Sequence, residues 1–446
     1  MQNRYIAHIT IEADTPLKVG SNSSDFLQDS PIQKDWNGLP MILGTSIAGV
    51  LRKHYRDVYE NDDLFGFQKM EKEIDLSEGS KVILSNALLL DEEKKVNESL
   101  LLEKSEFLKI FDNLPIREHT AISHTGAIDP NKNAKFDEEI VYKGTQFKFS
   151  IEVLEDETAF KNLLELLQSP SFRLGGGTTK GFGKFKVLEI VTKIIDNPKI
   201  LAKHSSSLNR DLSKQGSDGF SLVEFGAKAS DSEQKTIKAK NYTIYTLKIE
   251  PDDFFMFGAG FGDEDADQTP VYEKVVDYKN RKLNDKQILI PASSVKGALS
   301  HRTAFYYNKK MLEEGKEHTK TEENNEAVKA IFGHKKELDK ETKIELGQKG
   351  KILISDCFQT IEENNTKVFD HVSIDRFTGG AIDGALFQEK TIAQKEVYEI
   401  EILLENGVQQ EFKDAFEKAL DDVCNGMLAL GGATTKGHGV FSGNLE

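Results

Sequence analysis

The chain has 446 residues, 27 of them phenylalanine, and 58 Lys and Arg against 74 Asp and Glu give a formal net charge of −16. This length exceeds that of a usual single domain and predicts about two to three, while the apolar content excludes disorder throughout. The acidic balance excludes nucleic-acid binding by bulk charge but is compatible with a local basic groove.

The predicted elements run along the chain in the same order twice. Each half opens on an alternating strand, continues with a helix that follows a Ser-x-x-Gly segment, and ends with a second helix and a last strand. Ser46 and Ser294 are predicted to be the N-caps of the first helix of each half. The opening strands and helices are predicted at 5–13, 46–59 and 156–167, and again at 242–251, 294–311 and 410–425. This order predicts the ferredoxin-like, or RRM-like, split βαβ core.

An internal repeat supports the division into two halves. LGGGTTKGFGKF at 174–185 recurs as LGGATTKGHGVF at 430–441, and AKFDEE at 134–139 aligns with ALFQEK at 385–390. The segment that joins the halves is rich in Ser, Lys, Asp and Gln, as linkers are. We therefore predict an α+β protein with the domain boundaries 1–192, 193–240 for the linker, and 241–446.

The two Gly-rich segments have the form G-G-x-T-T-K-G-x-G. Glycines let the backbone approach a ligand closely, successive N–H groups bind anions, and the lysine adds a point charge. The Thr pair precedes the lysine, which excludes a Walker A loop. A phosphate backbone is the predicted ligand, and a tight turn before the last strand is the alternative for a single copy.

Further polar residues cluster around the Ser-x-x-Gly helices and in two corresponding His-containing segments. Helix N-termini with hydroxyl groups bind phosphate, although plain helix capping is the alternative for each serine. Phe136 and Phe387 follow the His-containing segments and are predicted either to stack on bases or to lie in the core. The residues predicted to contact RNA are Ser46, Arg52, His54, His119, His124, Lys180, Ser294, Lys296, Arg302, Arg376, Lys436 and His438.

The cysteine content and the apolar runs indicate the cellular compartment in which the protein works. Cys357 and Cys424 are too few for a disulfide framework or a Cys-rich zinc site. The N-terminal residues lack the apolar core of a signal peptide, and no apolar run approaches the ~20 residues that span a bilayer. We therefore expect a cytoplasmic protein with no membrane contact.

Several segments together resemble the CRISPR-associated RAMP superfamily, and in particular two fused backbone subunits of a type III (III-D-like) effector complex. The resemblance is carried by DSPIQKDWNGLPMILGTSIAGVLR at 29–52, by TPVYEK with ILIPASSVKGAL in the second half, by HVSIDRFTGGA at 371–381, and by both Gly-rich segments. It implies ferredoxin-like domains with inserted loops and a thumb hairpin each. It also implies binding of a CRISPR guide RNA, pairing with target RNA, and contact with other RAMP subunits and a large subunit.

The resemblance also implies metal-dependent cleavage of the target RNA by a loop aspartate, with Mg²⁺ or Mn²⁺ as the ion. The family's catalytic Asp precedes Ser-Pro and maps onto Asp29, which would hold the ion or help a 2′-hydroxyl attack. Aligning Pro270 with Pro31 puts Gln268 opposite Asp29, and a shift of one residue presents Asp267 instead. Asp29 and Asp267 are the predicted catalytic and metal-binding residues.

Two other functions stay open at this point. A pure scaffold would organise RNA and neighbouring subunits while a different subunit cuts the target. A CRISPR RNA processing endoribonuclease shares the RAMP fold and a terminal Gly-rich loop, and it would cut without metal through a His general base. The two Ser-x-x-Gly segments argue against the processing enzyme.

Overall fold

The computed structural model describes residues 3–21, 31–68, 70–71, 74–75, 77–120, 135–197, 207–209, 212, 241–317, 324–338, 345–362 and 365–446. Two predicted site residues, Asp29 and His124, lie outside the described residues, as does most of the predicted linker. None of the described helices is both long and apolar enough to cross a bilayer.

The first half of the chain, here called domain 1, folds around one antiparallel sheet. Its strands are β1 (Arg4–Ala13), β2 (Met41–Ile42), β3 (Met70–Glu71), β4 (Ile74–Asp75), β5 (Val82–Leu84), β6 (Ala87–Leu89), β7 (Ile116–Thr120), β8 (Lys135–Glu139), β9 (Gln146–Leu154) and β10 (Phe185–Ile195), and its helices are α1 (Gly44–Tyr59) and α2 (Glu157–Leu167). The sheet order is β10-β1-β9-β6-β2, and β5 also pairs with β9. Since β5 and β6 together form the second core strand, the order is that of a ferredoxin-like fold.

The second half, domain 2, repeats this arrangement. Its strands are β11 (Tyr242–Pro251), β12 (Tyr272–Glu273), β13 (Val276–Asp277), β14 (Lys282–Leu283), β15 (Gln287–Ile290), β16 (Gly333–Leu338), β17 (Glu345–Lys349), β18 (Ile352–Ile354), β19 (Cys357–Thr360), β20 (Thr366–Ile374), β21 (Ala381–Ile392), β22 (Tyr398–Glu405) and β23 (Phe441–Leu445), and its helices are α3 (Ala292–Glu313), α4 (Glu326–Phe332) and α5 (Gln410–Cys424). The main sheet has the order β18-β22-β11-β23. The predicted fold class, α+β with two tandem ferredoxin-like domains, is confirmed.

Each domain buries the apolar face of its helices against its sheet. In domain 1, α1 contributes Ile47 and Leu51 and α2 contributes Phe160 and Leu163, all fully buried. Burying each such side chain stabilises the fold by about 1.5–3 kcal/mol. The 3.6-residue period of the helices and the alternation of the strands therefore account for the two cores.

Both domains carry a separate two-stranded hairpin that corresponds to the predicted thumb. The first hairpin is β7–β8, in which His119 pairs with Phe136, and the second is β20–β21, in which His371 pairs with Phe387. Neither hairpin is part of its domain's main sheet. The hairpins are therefore free to contact a neighbouring domain or a ligand.

The predicted N-caps are wrong by three residues. Helix α1 begins at Gly44 and α3 at Ala292, so Ser46 and Ser294 lie within the first turn. The first helical N–H groups instead donate to side chains from the neighbouring strand, Gly44 N to Asn86 Oδ1 at 2.9 Å and Ala292 N to Asp356 Oδ1 at 2.8 Å. Because a residue distant in sequence caps each helix, the local serine pattern could not reveal the helix start.

The two domains meet in an extensive polar and apolar contact. The β13–β14 hairpin of domain 2 packs on domain 1, where Tyr278 is buried and its hydroxyl donates to Leu90 O at 2.9 Å. In the other direction, the first hairpin inserts Arg117 into domain 2. The relative position of the domains is thus fixed from both sides.

Candidate nucleic-acid interface

The two Gly-rich loops have the same backbone geometry. In domain 1, Leu174 N donates to Gly183 O at 3.0 Å and Gly176 N donates to Lys18 O at 2.7 Å. In domain 2, Leu430 N donates to Gly439 O at 2.8 Å. Gly432, which corresponds to Gly176, donates its N–H to Met256 O, also at 2.7 Å. Each loop is therefore held against the residues that follow the domain's first strand. The Thr-Thr-Lys segment is exposed in domain 2, whereas in domain 1 Thr178 is buried and Thr179 and Lys180 are half-buried.

At the base of each hairpin, four side chains meet in an arrangement that we call a root cluster. A histidine stacks on the phenylalanine opposite, the lysine of the Gly-rich loop lies over that ring, and a buried glutamate lies beside the histidine and the lysine. The first root cluster consists of His119, Phe136, Glu138 and Lys180, and the second of His371, Phe387, Glu389 and Lys436.

The distances in the two root clusters agree closely. The lysine Nζ lies 4.7 Å from the centre of the Phe136 ring in domain 1 and 4.8 Å from that of Phe387 in domain 2. The histidine Nε2 lies 3.2 Å from Glu138 and 3.4 Å from Glu389. Each ring is half-buried and supports a histidine and a lysine, so neither phenylalanine is a fully buried core residue, and stacking on bases stays a prediction.

Opposite charges surround the carboxylate of the first root cluster. Burial alone would raise the pKa of Glu138, but His119, Lys18 and Lys180 together lower it to about 2. Lys18 Nζ lies 2.5 Å from Glu138 Oε1. In the second cluster Glu389 is fully buried, and His438 adds a further imidazole 3.6 Å from it. The glutamates thus hold the histidine of each hairpin next to the lysine of its Gly-rich loop.

A second set of basic residues comes together across the domain boundary. Lys296, in the first turns of α3, donates to Thr179 Oγ1 of the first Gly-rich loop at 3.4 Å. Burial, together with the neighbouring Lys180, lowers the pKa of Lys296 to about 8. Two lysines and the hydroxyl of Thr179 therefore converge where loop 174–185 meets domain 2. Such a desolvated group of like charges is suited to an anionic ligand.

Other predicted contact residues are engaged inside the protein. Arg52 Nε donates to Asp62 at 2.7 Å, and Arg302 Nε donates to Asp422. His54 lies between Val50 O and Ser171 O and lines an interdomain cavity of about 490 Å³, where burial lowers its pKa.

Three more predicted residues lie elsewhere. Arg376 is exposed in the turn of the second hairpin. The N–H groups of Ser46 and Ser294 already donate to Leu43 O and Pro291 O. The structure thus brings together His119, Lys180 and Lys296 in one group and Lys436 and His438 in another, and the remaining described residues lie apart from both.

Asp267 lies in an exposed loop beside the second hairpin. Its Oδ2 accepts the backbone N–H of Gln388 at 2.8 Å, while the neighbouring Asp263 and Asp265 both pair with Lys390 at 2.7 Å. Within the described ranges, no group of three or more His, Cys, Asp and Glu side chains lies close enough to hold a metal ion. A lone carboxylate fits Mg²⁺ only if an RNA phosphate and water supply the other ligands, which is a common arrangement for this ion.

Backbone hydrogen bonds beside the segments that contain Asp29 and Asp267, here called the aspartate loops, correct the alignment of the two halves of the chain. Gln33 N donates to Val19 O, and Val271 N donates to Phe257 O, both at 2.7 Å. Gln33 therefore corresponds to Val271, and alignment of Pro31 with Pro270 is wrong by one residue. Since Val19 and Phe257 also correspond, the two intervening loops are equally long, and counting along them pairs Asp267 with Asp29.

Sequence reasoning did not assign a role to the glutamates or to the interdomain arginine. Glu138 and Glu389 occupy the same position in the aligned segments AKFDEE and ALFQEK, so the repeat itself carried a usable signal. Arg117 is buried between Glu273 and Asp356, which lie more than a hundred residues away. No local pattern marks that contact, because it depends on how the domains pack.

Comparisons with known proteins identify a family for most of the chain. A search of curated proteins finds no match. A family model described as RAMP superfamily matches residues 10–186 and 272–442, which include most of both ferredoxin-like cores and both Gly-rich loops. That superfamily is CRISPR-associated, and RNA binding is the role that it suggests. The matched segments cover well over half of the sequence, so this chain belongs to the RAMP superfamily and carries two of its domains.

Proposed function

We propose that the chain is a guide-RNA-binding backbone subunit of a type III, III-D-like CRISPR ribonucleoprotein, and that it cleaves complementary target RNA with a divalent metal ion. The observation that carries the RNA-binding part is the group of Lys180 and Lys296 with Thr179 of the first Gly-rich loop. Burial and the neighbouring Lys180 lower the pKa of Lys296, and a phosphate beside the two lysines would favour the charged form of Lys296.

The second Gly-rich loop supports a repeated contact along the guide RNA. Lys436 has the same aromatic support as Lys180 and remains 44% exposed. In domain 1, the loop glycine Gly181 lies against Asp356 so closely that an added Cβ would clash, whereas a Cβ added to the corresponding Gly437 would meet none of the described residues within 4 Å. The second loop is therefore open to a phosphate or to a neighbouring subunit, as a repeating RNA scaffold requires.

The proposal of cleavage rests on the aspartate loops. The correspondence of Asp267 with Asp29 favours two equivalent sites, one in each domain. Asp267 would hold a divalent ion jointly with the scissile phosphate, and the ion when bound would neutralise developing charge there. The chain itself contributes orientation, because the N–H of Gln388 fixes the carboxylate beside the second hairpin.

Target cleavage by single and double variants tests this function. The complex is reconstituted with guide RNA, and target fragments are mapped in Mg²⁺ for Asp29→Ala, Asp267→Ala and the double variant. We expect each single variant to lose its own cuts and the double variant to lose all of them, with guide binding unchanged. Asp265→Ala is the matched control, since Asp265 lies in the same loop but pairs with Lys390.

Two outcomes would contradict the proposal. If the double variant retains every cut, the subunit is a scaffold and another chain cleaves the target. If cleavage of precursor RNA persists in EDTA, the metal-independent processing reaction is the better assignment.

A further inference from the structure

A cavity of about 490 Å³ lies between the two domains, and its described lining includes no residue of the thumb hairpins or of the Gly-rich loops. Domain 1 contributes the last turns of α1 and the end of α2 with the residues after it, and domain 2 contributes the start of β11 and the end of β22. Asn241 Nδ2 donates to Asp57 O at 3.0 Å, so a hydrogen bond joins the domains at the cavity wall. Clefts between domains are frequent binding sites for small molecules, and the lining determines which ligand fits.

The charged groups of this lining are carboxylates. They belong to Asp57 of α1, Glu165 of α2 and Glu405 of β22. The described lining includes no lysine or arginine, and burial lowers the pKa of its one imidazole, that of His54, from the ordinary 6.5. At pH 7 the cavity therefore carries net negative charge, which disfavours a phosphate and favours a cation.

Two of these carboxylates have no cation of the protein beside them. Among the described residues, no lysine, arginine or histidine nitrogen lies within 4 Å of the carboxylate of Glu165 or of Glu405. Asp57, in contrast, pairs with Lys53 at 2.7 Å. Lys349 lies in the field of Glu405, but burial and Lys53 lower the pKa of Lys349 overall. A cationic ligand would therefore neutralise charge that the described side chains leave uncompensated.

Apolar and aromatic side chains complete the lining, among them Leu166, Tyr59 and Tyr242. Burial and the nearby Glu405 raise the pKa of Tyr242 to about 12. Burial and the nearby Glu165 raise the pKa of Tyr59. Within the described part of the chain, the carboxylates of the cavity are not grouped closely enough to hold one metal ion. An extended ligand with several cationic groups therefore fits the lining better than a single ion does.

We propose that the cavity binds an aliphatic diamine or triamine, with its ammonium groups on Glu165 and Glu405 and its methylene groups against Leu166 and the two tyrosine rings. Each ammonium group donates to a carboxylate and gains further from the face of a tyrosine ring. The methylene groups replace water on the apolar wall. Because each domain supplies one of the two carboxylates, the bound amine links the domains. The site is separate from the lysine group at Lys296 and from the aspartate loops, and it is independent of the proposed function.

Titration calorimetry of the full, RNA-free chain with spermidine at pH 7 tests the site. We expect one saturable site per chain, and Glu165→Gln and Glu405→Gln should each weaken the affinity by about tenfold or more. The matched control is Glu157→Gln, which removes a carboxylate of the same helix α2 that pairs with Lys161 and does not line the cavity. Its affinity should equal that of the wild type. Octanediol, an uncharged chain of similar length, should not bind.

Thermal unfolding gives a second readout, since a ligand that binds only the folded chain stabilises it. Saturating spermidine should raise the unfolding temperature of the wild type and of Glu157→Gln, but not that of the variant with both cavity substitutions. Without spermidine that variant should fold as the wild type does, because Glu165 is exposed and Glu405 is half-buried. Its guide-RNA affinity should also be unchanged.

Two results would overturn the site and leave the proposed function intact. One is the absence of saturable spermidine binding by the wild type. The other is binding of several spermidine molecules per chain that all three glutamate substitutions weaken equally, which would show association with an acidic surface only. Loss of target cleavage in the aspartate variants bears on the proposed function alone, so the two proposals can fail separately.

Discussion

At the scale of single residues, Lys296 connects burial with RNA binding. A lysine in water has a pKa near 10.5, and burial beside Lys180 lowers that of Lys296 to about 8. A phosphate that lies against the ammonium group favours its charged form and raises the pKa again. Binding and protonation are therefore linked, and RNA binding takes up protons wherever the free protein has partly lost them.

The sign of this linkage gives a pH dependence. Below pH 7 Lys296 is charged with or without RNA, whereas above pH 8 the free protein must first bind a proton. We expect the affinity for guide RNA to fall between about pH 7 and pH 9, as measured by filter binding or fluorescence anisotropy at fixed salt. Lys296→Arg should remove this pH dependence without removing affinity, because arginine stays charged.

Loss of the charge should appear in the salt dependence as well. For Lys296→Ala, the slope of log affinity against log salt should decrease by about 0.7–1, the contribution of one phosphate contact. Lys309, an exposed lysine of the same helix that pairs with Glu313, provides the control substitution. An unchanged slope in Lys296→Ala would show that this lysine does not contact the RNA backbone.

At the scale of the elements, the root clusters join each thumb hairpin to its Gly-rich loop. The pKa of Glu138 is lowered from 4.5 to about 2 despite burial, because Lys18, His119 and Lys180 favour its ionised form. A carboxyl group whose pKa is lowered by folding contributes stability above its unfolded pKa. That stability is lost as pH falls from about 4.5 towards 2.

Glu138→Gln should therefore reduce the free energy of unfolding by about 2–3 kcal/mol at pH 7. The difference from the wild type should shrink as pH falls below 4.5, because the wild-type carboxyl group then becomes neutral too. Denaturant unfolding at pH 7, 5 and 3 measures both effects. The control is Glu106→Gln, which removes an exposed ion pair with Lys109 and should change stability by less than about 0.5 kcal/mol. If the unfolding free energies of the wild type and Glu138→Gln differ by the same amount at every pH, the stability does not come from the lowered pKa of Glu138.

The same clusters show how far the sequence predicts such elements. The duplicated Gly-rich segments and the strand-helix order were sufficient for both ferredoxin-like cores, since they depend on local periodicity. His119, Lys180 and Lys436 were also predicted as contact residues, whereas His371 of the second cluster was not. The glutamate between the histidine and the lysine of each cluster lies two residues after the cluster phenylalanine, at the same place in both repeats, and the repeat could have revealed it. The side chains that cap α1 and α3 come from other segments of the chain, so their roles follow only from tertiary packing, which local pattern and spacing do not specify.

At the scale of the whole molecule, the net charge of −16 coexists with basic groups gathered at the junction of the domains. Arg173 is buried there, and its Nη2 donates to Ser355 Oγ at 2.9 Å. Arg117 is buried as well; burial opposes its charge, but Asp356 and Glu273 raise its pKa. The junction therefore serves two purposes, because the contact that orients the domains also brings Lys296 to the first Gly-rich loop.

Arg117→Met tests this coupling. The change leaves Asp356 and Glu273 buried without their cation and should weaken the domain contact by about 3–5 kcal/mol. Calorimetry should then show the two domains unfolding at more widely separated temperatures than in the wild type. Adding Asp356→Asn should restore part of the loss, since asparagine still accepts the N–H of Ala292, as Asn86 does for Gly44 in domain 1.

The guide-RNA affinity of the same variants shows whether the relative orientation of the two domains matters for RNA binding. If the junction positions Lys296 against the Gly-rich loop, Arg117→Met should lower guide-RNA affinity although Arg117 is only 6% exposed and cannot itself contact RNA. The double variant with Asp356→Asn should recover affinity together with stability. Recovery of stability without recovery of affinity would mean that the lysine group does not depend on the fixed position of the domains. In this proposal an acidic chain binds RNA because the cations at the junction are held in position, so disturbing their position should affect binding as much as removing a charge.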